Sequence, residues 1–186
     1  MADQLSLAGV QLSLAGLPAL DAVSVDLLDA HRFEDGEGFP PSYRRLVSRA
    51  GFCRLFGLWL VYPPARDGYA DGWQHRAAHL TDRFRATYQD GQAEGFDWMI
   101  EPDGDWSVAR RLVVFAFSEN GDALLWDPSA RTDGELAVWC STGLDALTFL
   151  GASLTDALPR VRELSGPFAD DASADLECLT PARTDG

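Results

Sequence analysis

The sequence predicts an α+β fold: a mainly antiparallel sheet, arranged as a meander and packed by N- and C-terminal helices. Three observations carry this. Apolar runs of strand composition recur between residues 97 and 141, an Asn-Gly turn joins two of them, and apolar residues at helical spacing flank them on both sides. At 186 residues, 46% of them hydrophobic, the chain has the size and composition of one domain with its own core.

The elements follow in order. Gln4-Leu5-Ser6-Leu7-Ala8-Gly9 recurs as Gln11-Leu12-Ser13-Leu14-Ala15-Gly16, a shift of seven that keeps one helical face in register. Two copies fall short of a solenoid, so residues 1–19 read as an extension carrying a short duplication. From Leu20 to Phe33 the apolar positions partly fit a helix. After the polar loop Glu34–Gly38, Pro40-Pro41-Ser42 opens a helix that runs to Ala50 and stops at Gly51, with Tyr43, Leu46 and Val47 on one face. Phe56 to Tyr62 reads as a buried strand ended by Pro63-Pro64. Gln74 to Tyr88 reads as an Arg-rich helix, followed by a loop rich in glycine and acid.

Four strands are predicted next: Asp97 to Glu101, Arg111 to Ser118, Ala123 to Trp126 and Leu136 to Cys140. Glu119-Asn120-Gly121-Asp122 predicts a type I′ turn, with positive φ at both central residues. Asp127-Pro128-Ser129 ends one strand, and Asp133-Gly134 opens the next. Thr142 followed by Asp145 has the form of a capping box, and Leu144, Leu147, Leu150, Leu154, Leu158 and Val161 recur behind it at helical spacing. Pro159 is expected to kink or divide that helical region. The main domain therefore spans residues 20–164. Residues 165–186, with Asp170, Asp171, Asp175 and Glu177, are expected to form a flexible acidic tail whose deletion costs little.

Composition excludes several functions. The chain has 29 acidic and 15 basic residues, all the latter Arg, for a net charge of -14. Nucleic acid and anionic membranes would repel such a molecule at long range. Without Lys there is no phosphate-loop lysine, and neither a GxGxxG loop nor a GxSxG elbow is present. Cys53, Cys140 and Cys178 are odd in number and far apart, which fits a reducing compartment. The 17 uncharged residues between Asp3 and Asp21 fall short of the ~20 apolar residues that span a bilayer, and Asp3 replaces a basic start. A soluble cytoplasmic protein without a cofactor is expected.

Candidate chemistry is sparse. His75, His79 and Asp82 could project from one side of a helix toward a metal ion, or could be a plain exposed face. Cys53 beside Arg54 could carry a lowered thiol pKa, or could be a small apolar residue. Glu101, Asp103 and Asp105 alternate before Trp106 and could ligate calcium, act as acid and base, or form an acidic surface for a basic partner. Trp126 and Trp139 read as packing residues. Trp73 and Trp106, in polar loops, are candidates for exposed interface anchors.

The order of elements resembles the SUKH superfamily. The residues that carry it are Phe39-Pro40-Pro41-Ser42-Tyr43 through Leu46 to Gly51, Phe115-Ala116, Gly121-Asp122, Leu124-Leu125-Trp126-Asp127, and Ser153-Leu154 to Leu158. The resemblance covers Phe39 to Glu163. Phe39 stands where the family has Leu, the insert from Pro63 to Asp97 is not diagnostic, and Pro159 interrupts the last helix. The resemblance implies a binding protein and no catalysis. Many bacterial members are immunity proteins that neutralise a toxin, while fungal relatives regulate cell-wall synthesis.

Charge distribution guides where such a partner would dock. Residues 1–40 carry a net charge of -6 and residues 41–70 a net +4, so the Arg-rich helix is a poor face for a basic toxin domain. The expected contacts are Glu101, Asp103, Asp105, Trp106, Glu119, Asp122 and Asp127, near the hairpin end. A regulatory adaptor without a toxin partner is the alternative. A small metal-dependent enzyme using His75, His79 and Asp82 is the third reading.

Overall fold

Residues 3–184 are described by a computed structural model. Ten strands form one sheet: β1 (Asp3–Leu7), β2 (Val10–Ala15), β3 (Cys53–Leu55), β4 (Trp59–Val61), β5 (Met99–Glu101), β6 (Val113–Ser118), β7 (Ala123–Thr132), β8 (Glu135–Thr142), β9 (Ala146–Gly151) and β10 (Leu176–Cys178). Their order across the sheet is β1-β2-β10-β3-β4-β6-β7-β8-β9-β5, with antiparallel pairing except for β10 on β2 and β5 on β9. The helices are α1 (Val25–Ala30), α2 (Pro41–Ala50), α3 (Ala78–Glu94), α4 (Leu154–Ser165) and α5 (Pro167–Asp171). The fold is α+β, as the strand density and flanking helical patterns predict.

Helices cover both faces of the sheet. Tyr43, Leu46 and Val47 of α2 and Leu154, Leu158 and Val161 of α4 bury one face together with Trp59, Phe115 and Trp126. On the other face Leu80, Phe84 and Tyr88 of α3 pack with Leu112, Leu125 and Leu147. β7 shows why the sequence runs apolar without a break here. Ala123 and Leu125 face α3, Leu124 and Trp126 face α2, and all four are buried.

Several local expectations change. The duplicated segment is a β-hairpin: its Leu-Ser-Leu alternation puts Leu5, Leu7, Leu12 and Leu14 in the core, and Leu5 faces Leu12 across the ladder. Ala8 and Gly9, at φ 46° and 93°, make the turn. The single strand expected over Phe56 to Tyr62 is instead a turn and then β4, because Phe56 and Gly57 take φ of 49° and 69°. A side chain at Gly57 would put its Cβ 2.3 Å from the Phe168 carbonyl oxygen, so only glycine fits.

At the Asn-Gly hairpin only Gly121 has positive φ, and the Gly121 N–H donates to the Ser118 carbonyl at 3.1 Å. The loop is therefore the three-residue kind with a glycine bulge rather than type I′. Asp133 and Gly134, both at positive φ, make the two-residue turn between β7 and β8.

The capping box at Thr142 is not one. Thr142 pairs with Ala146 across the β8–β9 turn, and the helix begins only at Ser153, whose Oγ accepts from the Asp156 N–H at 3.1 Å. The apolar residues that follow at helical spacing fall on the β8–β9 turn (Leu144, φ 61°) and on β9 (Leu147 and Leu150). Pro159 lies within one continuous helix, α4, rather than dividing it.

The largest correction concerns residues 165–186. The segment does not trail into solvent: α5 packs beside α4, and β10 fills the gap between β2 and β3 with Leu176 fully buried. Its acids serve this placement. Asp175 accepts from the Ser13 N–H and Oγ at 2.9 and 2.8 Å and pairs with Arg162 at 2.5 Å, while Glu177 pairs with Arg54 at 2.9 Å. Deletion therefore removes an interior strand. Replacing Leu176→Ala should cost about 2–5 kcal/mol of stability in urea denaturation, the range for a fully buried leucine, where a solvated tail would show almost none.

Candidate functional site

Two regions concentrate chemistry. The first is the edge of the sheet at β5. Its support is α3, which runs past Tyr88, where sequence reading places a loop, to Glu94, and meets the following segment through aromatic rings. Tyr88 and Trp98 meet edge to face at 5.2 Å, and Trp98 stacks on Trp106 at 5.5 Å. Gly91 makes this possible: a Cβ there would stand 2.6 Å from the Trp98 ring. A helical glycine that looked like loop composition is the contact point on which the acidic segment rests.

Along that segment the side chains face water. Phe96 and Met99 are 48% and 57% exposed, and Glu94, Asp97, Glu101, Asp103 and Asp105 are exposed around them with no ion pair among the described residues. Asp105 also caps the short 3-10 helix Trp106–Arg110, its Oδ1 accepting from the Ser107 N–H at 2.9 Å; the two bonds from Ser107 hold its carboxyl below the usual range. Trp106 is half-buried by its stack on Trp98 rather than standing free.

The other three expected contacts lie elsewhere. Glu119 sits at the β6–β7 turn and pairs with Arg54 at 3.3 Å. Asp122 is half-buried and accepts from the Gly143 N–H at 2.9 Å, tying that turn to the next. Asp127 is further along β7 by roughly 17 Å and is 2% exposed, so it cannot meet a partner. Its oxygens accept from Arg111 Nε at 2.9 Å and from the Ser129 N–H and Oγ at 3.0 and 2.6 Å, which holds the bulge where β7 loses register with β8.

The remaining candidates separate as well. His75, His79 and Asp82 are exposed, and no group of three or more His, Cys, Asp or Glu able to hold a metal ion occurs among the described residues. Cys53 is fully buried, and burial pushes its thiol well above the usual range, with Cys178 opposite it adding to the shift. Strand alternation turns Arg54 the other way, toward Glu177 and Glu119. Burial likewise pushes the Cys140 thiol up to about 12. Among the described residues no helix is long and apolar enough to cross a membrane.

The second region was not legible in advance. A cleft of about 530 Å³ is lined by His31, Phe33, Trp73, Arg85, Arg111 and Pro128 among others. Trp73, expected as an exposed anchor, is half-buried here, meeting Phe39 edge-on at 5.2 Å and Trp126 at 5.5 Å. His31 stacks on Phe39 at 4.6 Å, and its buried Nε2 has no partner among the described residues. Burial first, and the Arg32 cation second, hold the His31 pKa below 6.5.

Comparison with protein-family models, curated proteins and solved structures gives no match to this chain.

Two measurements test this description. Gly→Ala in a helix ordinarily stabilises by up to ~1 kcal/mol, but Gly91→Ala should lower the melting temperature, because its Cβ would overlap the Trp98 ring. The pH response of His31 has a definite sign. In the unfolded chain it takes up a proton near 6.5, whereas the folded protein resists protonation until lower pH, so this residue favours folding above 6.5 and loses that contribution as pH falls below it. Thermal melts between about pH 7.5 and 5.5 should show a smaller decline for His31→Phe than for the unaltered chain.

Proposed function

We propose that this is a partner-binding protein of SUKH type, most specifically an immunity protein that neutralises a basic toxin domain by direct binding at the β5 edge. One observation carries the reading: Phe96 and Met99 stand exposed at 48% and 57% within a stretch bearing Glu94, Asp97, Glu101, Asp103 and Asp105, none ion-paired among the described residues. An apolar anchor flanked along the chain by charge of one sign is the pattern of an interface whose centre excludes water and whose rim steers the approach. Steering by such a rim raises association rates to about 10⁸ M⁻¹s⁻¹ at low salt.

The edge also constrains the mode of binding. β5 is three residues long and is followed by Pro102, so strand addition has little backbone to pair with, and side chains must carry recognition. The exposed acids and the Tyr88, Trp98 and Trp106 rings beneath them form the surface offered to a partner. The resemblance of the Pro40–Gly51, Gly121–Asp127 and Ser153–Leu158 segments to SUKH proteins supports the same reading.

The test is binding to a purified basic toxin domain encoded next to this gene. A complex should form, and neutralising the rim with E94Q/D97N/E101Q/D103N should slow association about tenfold in 50 mM salt but hardly at all in 500 mM, because screening shortens the reach of the field to a few ångströms. Phe96→Ala should instead speed dissociation. Unchanged association of the neutralised variant, or a complex in which Phe96 and Met99 stay open to solvent, would overturn the assignment. A regulatory adaptor would leave the toxin free and bind a partner encoded elsewhere.

A further inference from the structure

The cleft beside His31 shares no residue with the acidic edge, and its chemistry is of the opposite sign. Arg32, Arg85 and Arg111 line it, against Glu34 and Asp35, and Asp35 is already tied to Arg131 at 2.6 Å. In a chain of net charge -14 this is a concave, locally cationic spot. Two of the guanidinium groups are held in place by the fold. Arg85 Nε donates to the Leu112 carbonyl at 3.0 Å and its Nη2 to the Arg111 carbonyl at 3.3 Å. Arg111 is fixed by Nε on the buried Asp127 carboxylate at 2.9 Å. Arg85 Nη1 and both terminal nitrogens of Arg111 have no partner among the described residues.

The rest of the wall is apolar. Trp73, Phe33, Val113 and Pro128 supply it, and behind Trp73 lie Phe39 and Trp126, so the aromatic surface cannot collapse into the space. The size falls within the range of small-molecule sites, roughly 300–1,000 Å³. His31 also lines the cleft, with its partnerless Nε2 buried behind the surface.

From this geometry we infer that the cleft binds a small aromatic carboxylate, its ring against Trp73 and Phe33 and its two oxygens on the terminal nitrogens of Arg85 and Arg111. A planar fork matches a carboxylate, and pre-anchored Nε atoms reduce the entropy lost when the ligand is held. A neutral ring of the same shape would leave the guanidinium groups without a counter-charge.

The experiment uses the full chain, 2-naphthoate as probe and 2-naphthylmethanol as its neutral counterpart. Naphthoate should bind saturably below about 1 mM, at least tenfold more tightly than the alcohol, and should shift the side-chain resonances of His31 and Trp73. Arg85→Gln should weaken naphthoate at least fivefold and leave the alcohol unchanged. Should that variant not fold, Arg111→Lys keeps a cation beside Asp127 while removing the fork, and the same fivefold loss is expected. Absence of saturable binding, equal affinity for acid and alcohol, shifts confined to residues outside the cleft, or full affinity in the folded Arg variant would each overturn the site.

Discussion

The hydroxyl of Tyr43 donates to the Tyr62 carbonyl at 2.5 Å in the middle of the protein, and the ring that carries it meets Trp126 edge to face at 4.7 Å. Most of the architecture depends on that junction. Trp126 stacks on Phe115 at 4.4 Å and 11°, joining β6 to β7, while Tyr43 holds α2 onto both and fixes the end of β4 through the hydrogen bond. Phe39, Phe33, His31 and Trp73 extend the same cluster outward to the cleft. Each aromatic pair adds about 0.5–1.5 kcal/mol beyond burial, and their mutual perpendicular and stacked arrangement leaves little freedom to slide. Glu135 completes the fit from β8: it accepts from the Ser42 N–H and Oγ at 2.8 and 2.5 Å, giving the N-terminus of α2 a carboxylate that Pro40 cannot offer.

What could be read in the amino-acid order follows the range of the interaction. α2 was legible because Pro41, the Tyr43-Leu46-Val47 face and Gly51 all lie within one stretch. The central strands were legible because both of their faces are buried and their side chains are correspondingly apolar. β10 was not: its Glu177 and Asp175 look like solvated acids until Arg54, Arg162 and Ser13, more than a hundred residues away in two cases, come to meet them. Leu144, Leu147 and Leu150 misled because a three-residue apolar spacing also suits a strand whose two faces are both covered, with Leu147 on one face and Leu150 on the other. Of the candidate contacts, Glu101, Asp103 and Asp105 fall together on one exposed edge, whereas Asp127 was claimed by Arg111 and by the bulge behind it. The cleft could not be found by local motifs, since its walls come from four separate segments.

The two surfaces carry charge of opposite sign on the same scaffold. On β5 and the segments beside it the exposed carboxylates stand over the stacked rings of Trp98 and Trp106, and their field reaches outward. At the cleft Arg85 is held by backbone carbonyls and Arg111 by a buried carboxylate, which fixes where their guanidinium groups lie. The net acidity of the chain therefore describes the first surface and not the second.

The placement of β10 bears on how this protein is made. Cys178 sits opposite Cys53 across the ladder, and Leu176 opposite both Leu55 and Leu14, so among the described residues β10 is the strand that joins the N-terminal hairpin to the rest of the sheet. During translation the ribosome releases β2 and β3 long before the piece that bridges them, and for that interval two unsatisfied strand borders stand open. Closing the sheet therefore waits on pairings between residues more than a hundred positions apart in the sequence, and such long-range strand pairing is slow to form.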